Sequence, residues 1–359
     1  MKNNPLPDKI DKILLVQLAG IGDLVMATPA IKAIRQHFPE AQIALLTSAR
    51  AKGLLENSQD LDSIYSLDYG GRLSPGLFFS RSNWSTIRDL RNQKFDLAVN
   101  LLQLFSLSGA FRVWLLLKAA GVGFTAGRNT QGRGFFFDLR SAESDKRDDH
   151  EVASNLRLAR AIGAEADSDA LFLETERKDL DFIAGFLSER NIGAKDLLVG
   201  INPGSAWRLT RRWRPGRFAE VADALVDKYG AKIIITGSLK DKGPCEKIAS
   251  FMKSEPVISA GLLTIPQLVA LIKRCGLYIS TDAGPMHIAA AVGTPLVAVF
   301  GPAPSRYFPY GDAENFRVIK KDVRCSPCYR RRCSDMRCME EISTDEVLRA
   351  AQSLLKKNG

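Results

Sequence analysis

No stretch of the 359 residues is apolar for long enough, without interruption, to cross a bilayer. The nearest, residues 101–124, carries Gln103, Arg112 and Lys118 at positions too central for hydrocarbon. That segment reads as an amphipathic helix laid against a sheet, with a place at a membrane surface as the alternative. A secretory leader is missing too. Residues 13–21 are apolar and Ala27-Thr28-Pro29-Ala30 mimics a cleavage site, but Asp8, Asp11 and Asp23 put acid where a leader is basic or uncharged. Residues 12–17 are therefore expected as a buried first strand, and the protein in the cytoplasm. Low-complexity tracts and short repeats are absent, and with 45% hydrophobic and 25% charged residues the chain is neither disordered, collagen-like nor a multi-span membrane protein. Acid is the scarcer charge: 40 Asp and Glu stand against 50 Lys and Arg, a net +10 that favours an anionic partner. Nucleotide, lipid phosphate and nucleic acid all satisfy that condition.

What is present is an alternation of short apolar runs with longer segments of helical period, the βαβ pattern of a parallel sheet. Strands are predicted at residues 13–17, 42–46, 63–66, 96–100 and near 123–126, and again at 197–201, 232–236, 256–259, 276–280 and 296–300. A helix is predicted over 24–38, ended by Pro39, and another over 175–190 within the polar text that joins the two halves. The length suits two domains, set at 1–172 and 173–342, with 343–359 as a C-terminal helix packing back on the first. Two doubly wound sheets bind ligands at the carboxyl ends of their strands, so the loops following strands carry the chemistry.

After the first strand, Gly20-Ile21-Gly22-Asp23 opens a helix. The glycines permit a tight turn close to a ligand, and Asp23 either caps the helix or faces a substrate. A dinucleotide fingerprint fails here, because Val25 replaces the third glycine and Leu46-Thr47-Ser48 ends the second strand without an acid for a ribose. In the second half, Asn202-Pro203-Gly204-Ser205 precedes Arg208, Arg211, Arg212, Arg214 and Arg217, interleaved with Trp207 and Trp213. Backbone N–H groups and guanidinium groups there suit phosphate oxygens. Thr236-Gly237-Ser238 leads to Asp241, a ribose ligand or a helix cap. Thr281-Asp282-Ala283-Gly284-Pro285-Met286-His287 runs into a helix of small residues, whose proline-bearing start offers N–H groups to an anion.

Other clusters are less specific. Arg128, Arg133, Arg140 and Arg147 surround Phe135, Phe136 and Phe137 in the loop expected after the fifth strand, followed by His150; Arg128 is the expected acceptor-binding residue. Asp60-Leu61-Asp62 and Asp179-Leu180-Asp181 follow no glycine-rich strand-end turn and read as solvated carboxylates. Cys245 and Cys275 read as core residues. The spacing Cys325-x2-Cys328-x4-Cys333-x4-Cys338 suits a small structural zinc site, reduced thiols or disulfides. Arg324, Arg330, Arg331, Arg332 and Arg337 around it make a zinc-ribbon nucleic-acid module the rival from another class, but such a module explains none of the strand-end loops.

The glycine–aspartate loop, the Asn-Pro-Gly-Ser turn followed by Arg211-Arg212-Trp213, the Asp282-x-Gly284-x-x-His287 motif and the Cys-Met ending together resemble glycosyltransferase family 9. Its best-known members are the ADP-heptose:lipopolysaccharide heptosyltransferases. The resemblance implies a GT-B architecture, two Rossmann-like domains facing a cleft, with the acceptor held mainly by the first and the nucleotide sugar mainly by the second. It implies inverting transfer of heptose from ADP-heptose, or another nucleotide sugar, to a lipid-linked inner-core acceptor at the cytoplasmic face of a Gram-negative inner membrane. No catalytic metal and no nucleic acid belong to that scheme. Asp23 matches the catalytic base, with Gly22 beside it on the acceptor side. Gly204, Ser205, Arg211, Gly237, Ser238, Asp241, Asp282, Gly284, Met286 and His287 match the donor site. Arg211 stands where lysine is common in the heptosyltransferases, and Asn100 where aspartate is frequent.

Overall fold

The computed structural model describes residues 6–69, 80–143, 149–204, 209–328, 330 and 332–357. Its chain divides between Glu174 and Thr175 into two units, each with its own sheet. In the first, strands β1 (Lys12–Gln17), β2 (Gln42–Ser48), β3 (Ser63–Leu67), β4 (Leu97–Asn100), β5 (Phe124–Arg128) and β6 (Leu139–Ser141) lie in the order β3-β2-β1-β4-β5-β6. Every pairing is parallel. Parallel strands need crossovers, and these are supplied by α1 (Ile21–Val25), α2 (Thr28–His37), α3 (Arg81–Gln93) and α4 (Leu107–Ala119), with α5 (Glu151–Ala161) following β6. Because helices cover both faces, the strands are apolar throughout: Ile13, Leu14, Leu15 and Val16 are all fully buried. On one face Leu14 and Val16 join Ala98, Val113, Leu116 and Phe137 in a continuous cluster.

The second unit repeats the plan. Strands β7 (Leu198–Asn202), β8 (Lys232–Ile235), β9 (Val257–Ile258), β10 (Leu277–Thr281), β11 (Leu296–Phe300) and β12 (Phe316–Lys320) lie as β12-β11-β10-β7-β8-β9, again all parallel. Numbered within the unit and read from the other edge, this is the same 3-2-1-4-5-6 order as the first sheet. In each sheet the order therefore reverses between two central strands, β1 and β4 in one and β7 and β10 in the other, and an open crevice at their carboxyl ends is where such sheets take ligands. Both reversal points end on asparagine, with Val16 opposite Asn100 and Ser280 opposite Asn202.

The helices of this unit are α6 (Arg177–Ser188), α7 (Pro215–Tyr229), α8 (Lys242–Ala249), α9 (Ile265–Arg274), α10 (Gly284–Ala291), α11 (Arg337–Glu340) and α12 (Thr344–Lys357). Helix α9 has its start written in the chain. Thr264 accepts from the Gln267 N–H while the Gln267 side chain accepts from the Thr264 N–H, and Pro266 occupies the first turn.

Three features depart from the sequence reading. The helix expected over 24–38 is two, α1 and α2, broken at Met26 and Ala27; Pro29 sits in the first turn of α2, where its missing N–H costs nothing. The outermost strands β6 and β12 were not predicted. The C-terminal helix, expected to pack back on the first domain, belongs to the second unit. Val347, Ala350, Ala351 and Leu354 of α12 are built into the core of the second, with Trp213, Phe218 and Val221. Trp213 seals that join by donating its indole N–H to the Ile342 carbonyl at 3.0 Å, and Arg217 reaches the Glu340 and Ile342 carbonyls at 2.6 Å each.

Candidate active site

At the reversal point of the first sheet, β1 runs into Leu18-Ala19-Gly20 and α1 begins at Ile21, which places Gly22 and Asp23 in its first turn. Both are partly exposed. One Asp23 carboxylate oxygen accepts the Gly20 N–H at 3.0 Å, so the helix-capping role is real. That bond also fixes the carboxylate at the carboxyl edge of the sheet.

One residue that senses the Asp23 charge, Tyr69, was not anticipated. Tyr69, just beyond β3, is largely buried, and its phenol hydrogen-bonds to Ser48 at the end of β2. Burial pushes the phenol up to about 12; Ser48 and Arg50 pull it down and the Asp23 charge adds to the rise, so Tyr69 stays protonated at neutral pH. The clue was a polar Thr47-Ser48 ending on an otherwise apolar strand, which the sequence reading used only to exclude a ribose-binding acid. Asn100 is fully buried at the end of β4. Its amide N–H donates to the Leu102 carbonyl at 2.9 Å, while its side-chain oxygen has no partner among the described residues.

Arg128 corrects an expectation. It is 1% exposed, and its guanidinium is held by Glu143 and Glu151, both at 2.6 Å. Burial opposes its charge, but Glu151 and then Glu143 outweigh that and hold the group above its ordinary pKa. Glu143 also accepts the Thr130 hydroxyl at 2.9 Å. Arg128 therefore ties the end of β5 to the start of α5 and presents nothing to an acceptor. Arg140 lies in β6, not in a loop, and Arg147 lies outside the described residues.

At the reversal point of the second sheet lie Asn202, Gly204, Arg211 and Asp282. Asn202 donates to the Thr236 carbonyl and accepts the Gly204 N–H, both at 3.0 Å. Gly204 has φ +85°, and a Cβ there would fall 2.2 Å from the Thr281 hydroxyl, so no other residue fits this turn between β7 and β10. Arg211 pairs with Asp282 at 2.6 Å, the carboxylate almost wholly buried and the guanidinium partly open. Asp282 is thus a positioning residue for Arg211. Two residues on, α10 starts at Gly284 with no side-chain cap, leaving its N-terminal dipole available to an anion.

After β8, Gly237 allows close packing of the turn, a Cβ there falling 2.9 Å from that of Asp241. Asp241 accepts from the Ser238 N–H at 3.0 Å and the Ser238 hydroxyl at 2.5 Å, which is a cap. Ser238 itself is exposed. His287 is 4% exposed on α10. Met286 is fully buried and has no surface to offer a ligand, which removes it from the donor set. Ser205 lies outside the described residues, as do Trp207 and Arg208.

For the four spaced cysteines, for which zinc, reduced thiols and disulfides were all left open, the structure shows no disulfide. Among the described residues no three His, Cys, Asp or Glu side chains are gathered so as to hold a metal ion. Cys325 is exposed, Cys328 and Cys333 partly so, and Cys338 is buried on α11 in the core of the second unit. Cys333 donates to the Asp335 carbonyl. Burial pushes the Cys338 thiol up to about 11, with smaller contributions from the other three thiols. Cys245 and Cys275 are buried as expected. Of the Asp-x-Asp strings, Asp62 binds the Ile43 N–H at 2.6 Å and Arg35 at 2.5 Å, and Asp179 is buried on α6 instead of solvated.

The sequence signature of glycosyltransferase family 9 (heptosyltransferase) matches residues 83–338. Lipooligosaccharide heptosyltransferase 2 of Campylobacter jejuni is 27% identical over 358 residues, covering 97% of this chain and 99% of that one. The crystal structure of a family 9 glycosyl transferase from Veillonella parvula superposes with a TM-score of 0.81 at 23% identity, over 98% and 99% of the two chains. The E. coli ADP-heptose lps heptosyltransferase II superposes at 0.76 and 21%, over 97% and 99%. The fold is GT-B, with two Rossmann-like domains in tandem, and a zinc-ribbon module accounts for neither sheet. With its signature covering most of the sequence and its strand-end motifs at both reversal points, the chain belongs to glycosyltransferase family 9, the heptosyltransferases.

Proposed function

We propose that the protein transfers heptose from ADP-heptose to a lipid-linked lipopolysaccharide core acceptor, with inversion at the anomeric carbon. The observation that carries this reading is the anion site of the second sheet: Arg211, held by Asp282 at 2.6 Å, beside the uncapped start of α10. A guanidinium with one nitrogen committed to a carboxylate keeps other N–H groups for phosphate oxygens. The names of the C. jejuni relative and the E. coli neighbour, which give lipooligosaccharide and ADP-heptose, support this choice of acceptor class and donor.

In the reaction the acceptor hydroxyl oxygen bonds to the anomeric carbon as the bond from that carbon to the diphosphate oxygen breaks, and the electron pair leaves with ADP. Asp23 takes the hydroxyl proton on a carboxylate oxygen. Arg211 and the α10 dipole stabilise the charge that develops on the diphosphate, so no divalent ion is required. Protonated Tyr69 lies on the acceptor side as a hydrogen-bonding group.

Incubating the protein with ADP-heptose and a heptose-deficient core acceptor in EDTA tests the proposal. The expected result is an acceptor heavier by one heptosyl residue, ADP in equal amount, and an inverted anomeric centre by NMR. Transfer from UDP-glucose in preference would replace the donor, and activity lost in EDTA and restored by magnesium would replace the mechanism.

A further inference from the structure

From residue 97 to residue 137 the chain contains no aspartate or glutamate, while it contains Arg112, Lys118, Arg128 and Arg133. Of these, Arg128 is buried and held by Glu143 and Glu151. The same segment holds most of the first unit's large exposed apolar side chains: Phe105 at 59%, Leu107 at 69%, Phe111 at 58% and Phe135 at 60%. Leu107, Phe111 and Lys118 share one face of α4, within about 40° of one another on a wheel of 3.6 residues per turn. The opposite face, with Ala110, Val113, Leu116 and Leu117, is the one that packs on the sheet. The outward face is therefore apolar without serving the core.

The loop that carries Phe135 lies against this helix start. Arg133 donates to the Leu104 carbonyl at 3.4 Å, one residue before Phe105, and Phe135 meets Phe136, which packs on the same core. Phe105 lies in the connection that leaves the carboxyl end of β4, the sheet edge that also bears Asn100 and the Asp23 loop, and Leu107 opens the helix that follows. Exposed apolar side chains in a segment that carries Lys118 and Arg133 and no acid from residue 97 to residue 137 match the surface of an anionic bilayer, in which rings enter the headgroup region and basic groups meet phosphates. We propose that this face of the first unit, Phe105, Leu107, Phe111 and Phe135 with Lys118 and Arg133, docks on anionic phospholipid. It rests on the transferase reading only for the idea that the acceptor is lipid-linked; docking itself is read without turnover.

Flotation of the full chain with vesicles of phosphatidylglycerol and, separately, of phosphatidylcholine tests this. The wild type is expected to float with phosphatidylglycerol and much less with phosphatidylcholine. Phe111→Ser/Phe135→Ser should float with phosphatidylglycerol roughly tenfold less or weaker still, the factor that withdrawing a phenyl ring from an apolar phase is worth. Lys118→Gln should weaken flotation with phosphatidylglycerol and leave the phosphatidylcholine result unchanged. Melting temperatures and turnover on a de-acylated, water-soluble acceptor should match the wild type in both variants. A wild type that stays down with phosphatidylglycerol, or a double variant that floats as well as the wild type, would overturn the proposal. So would a change in sedimentation coefficient in place of a change in flotation, which would make the face a contact between copies. If wild type and variants are alike inactive on the soluble acceptor while flotation behaves as stated, the transferase reading fails and the docking surface stands.

Discussion

Arg128→Ala separates a structural cation from a substrate-binding one. The guanidinium lies between two carboxylates at 2.6 Å, with Arg128 and Glu151 side chains 1% and 6% exposed and Glu143 at 15%. Truncation leaves Glu151 buried beside Glu143 with its cation gone, the situation that costs about 3–5 kcal/mol. The bonds lost are those joining the end of β5 to the first residue of α5, so the cost falls on the first unit. At about 2–4 °C per kcal/mol for a domain of this size, its melting point should drop by roughly 6–20 °C. Calorimetry shows the shift, and kinetics below the melting range should show acceptor affinity within about threefold of wild type, the scale of error of such coupled measurements. An unchanged melting point with a selective loss of acceptor affinity would refute the reasoning and return Arg128 to the acceptor site.

Arg211→Ala should weaken ADP binding, and Arg211→Lys should retain part of it, since charge persists without the planar fork; calorimetric titration with ADP is the check. Glu346 accepts from Lys321 at 2.7 Å and from the Ser343 N–H at 2.9 Å at the start of α12, and these hold its carboxyl down at about 2, led by the Lys321 bond. A depressed carboxylate contributes stability above its unfolded pKa and loses it as pH falls through the folded one. Glu346→Ala should therefore cost about 1 kcal/mol or less at pH 7, and the gap in urea midpoint should close between about pH 5 and pH 2. Thiol titration of the native protein should find Cys325, Cys328 and Cys333 reactive and Cys338 slow, because a thiol raised to about 11 is barely ionised at pH 8. Protection of all four, released by a chelator, would instead show a zinc site.

Ten of the twelve strands among the described residues were legible, the inner ones because a strand covered on both faces is an apolar run, as with Leu14 to Val16 or Val297 to Val299. The two that were missed are edges. Strand β6 has three residues with an exposed arginine at its centre, and every residue of β12 is half-buried, so neither carries a run or an alternation. Strand-end motifs were legible for a related reason: Gly20 to Asp23, Asn202 to Gly204 and Asp282 to Gly284 break apolar runs with residues a turn demands. What could not be read were partners brought in from afar. Arg128 meets carboxylates 15 and 23 residues later, and Tyr69 meets Ser48 and Asp23 across three strands. Met286 belonged to a motif, yet helix phase turned it into the core.

The central claim is that Asp23 is the base of a sugar transfer and not only a helix cap. Asp23→Asn tests it most directly, since an asparagine oxygen can still accept the Gly20 N–H now bonded at 3.0 Å, keeping the turn while removing the proton acceptor. Turnover of ADP-heptose with the core acceptor should fall by about 10² to 10⁴, with ADP affinity and melting temperature as in the wild type. Turnover within about threefold of wild type, far short of what losing a general base costs, would contradict the account and leave Asp23 as a cap.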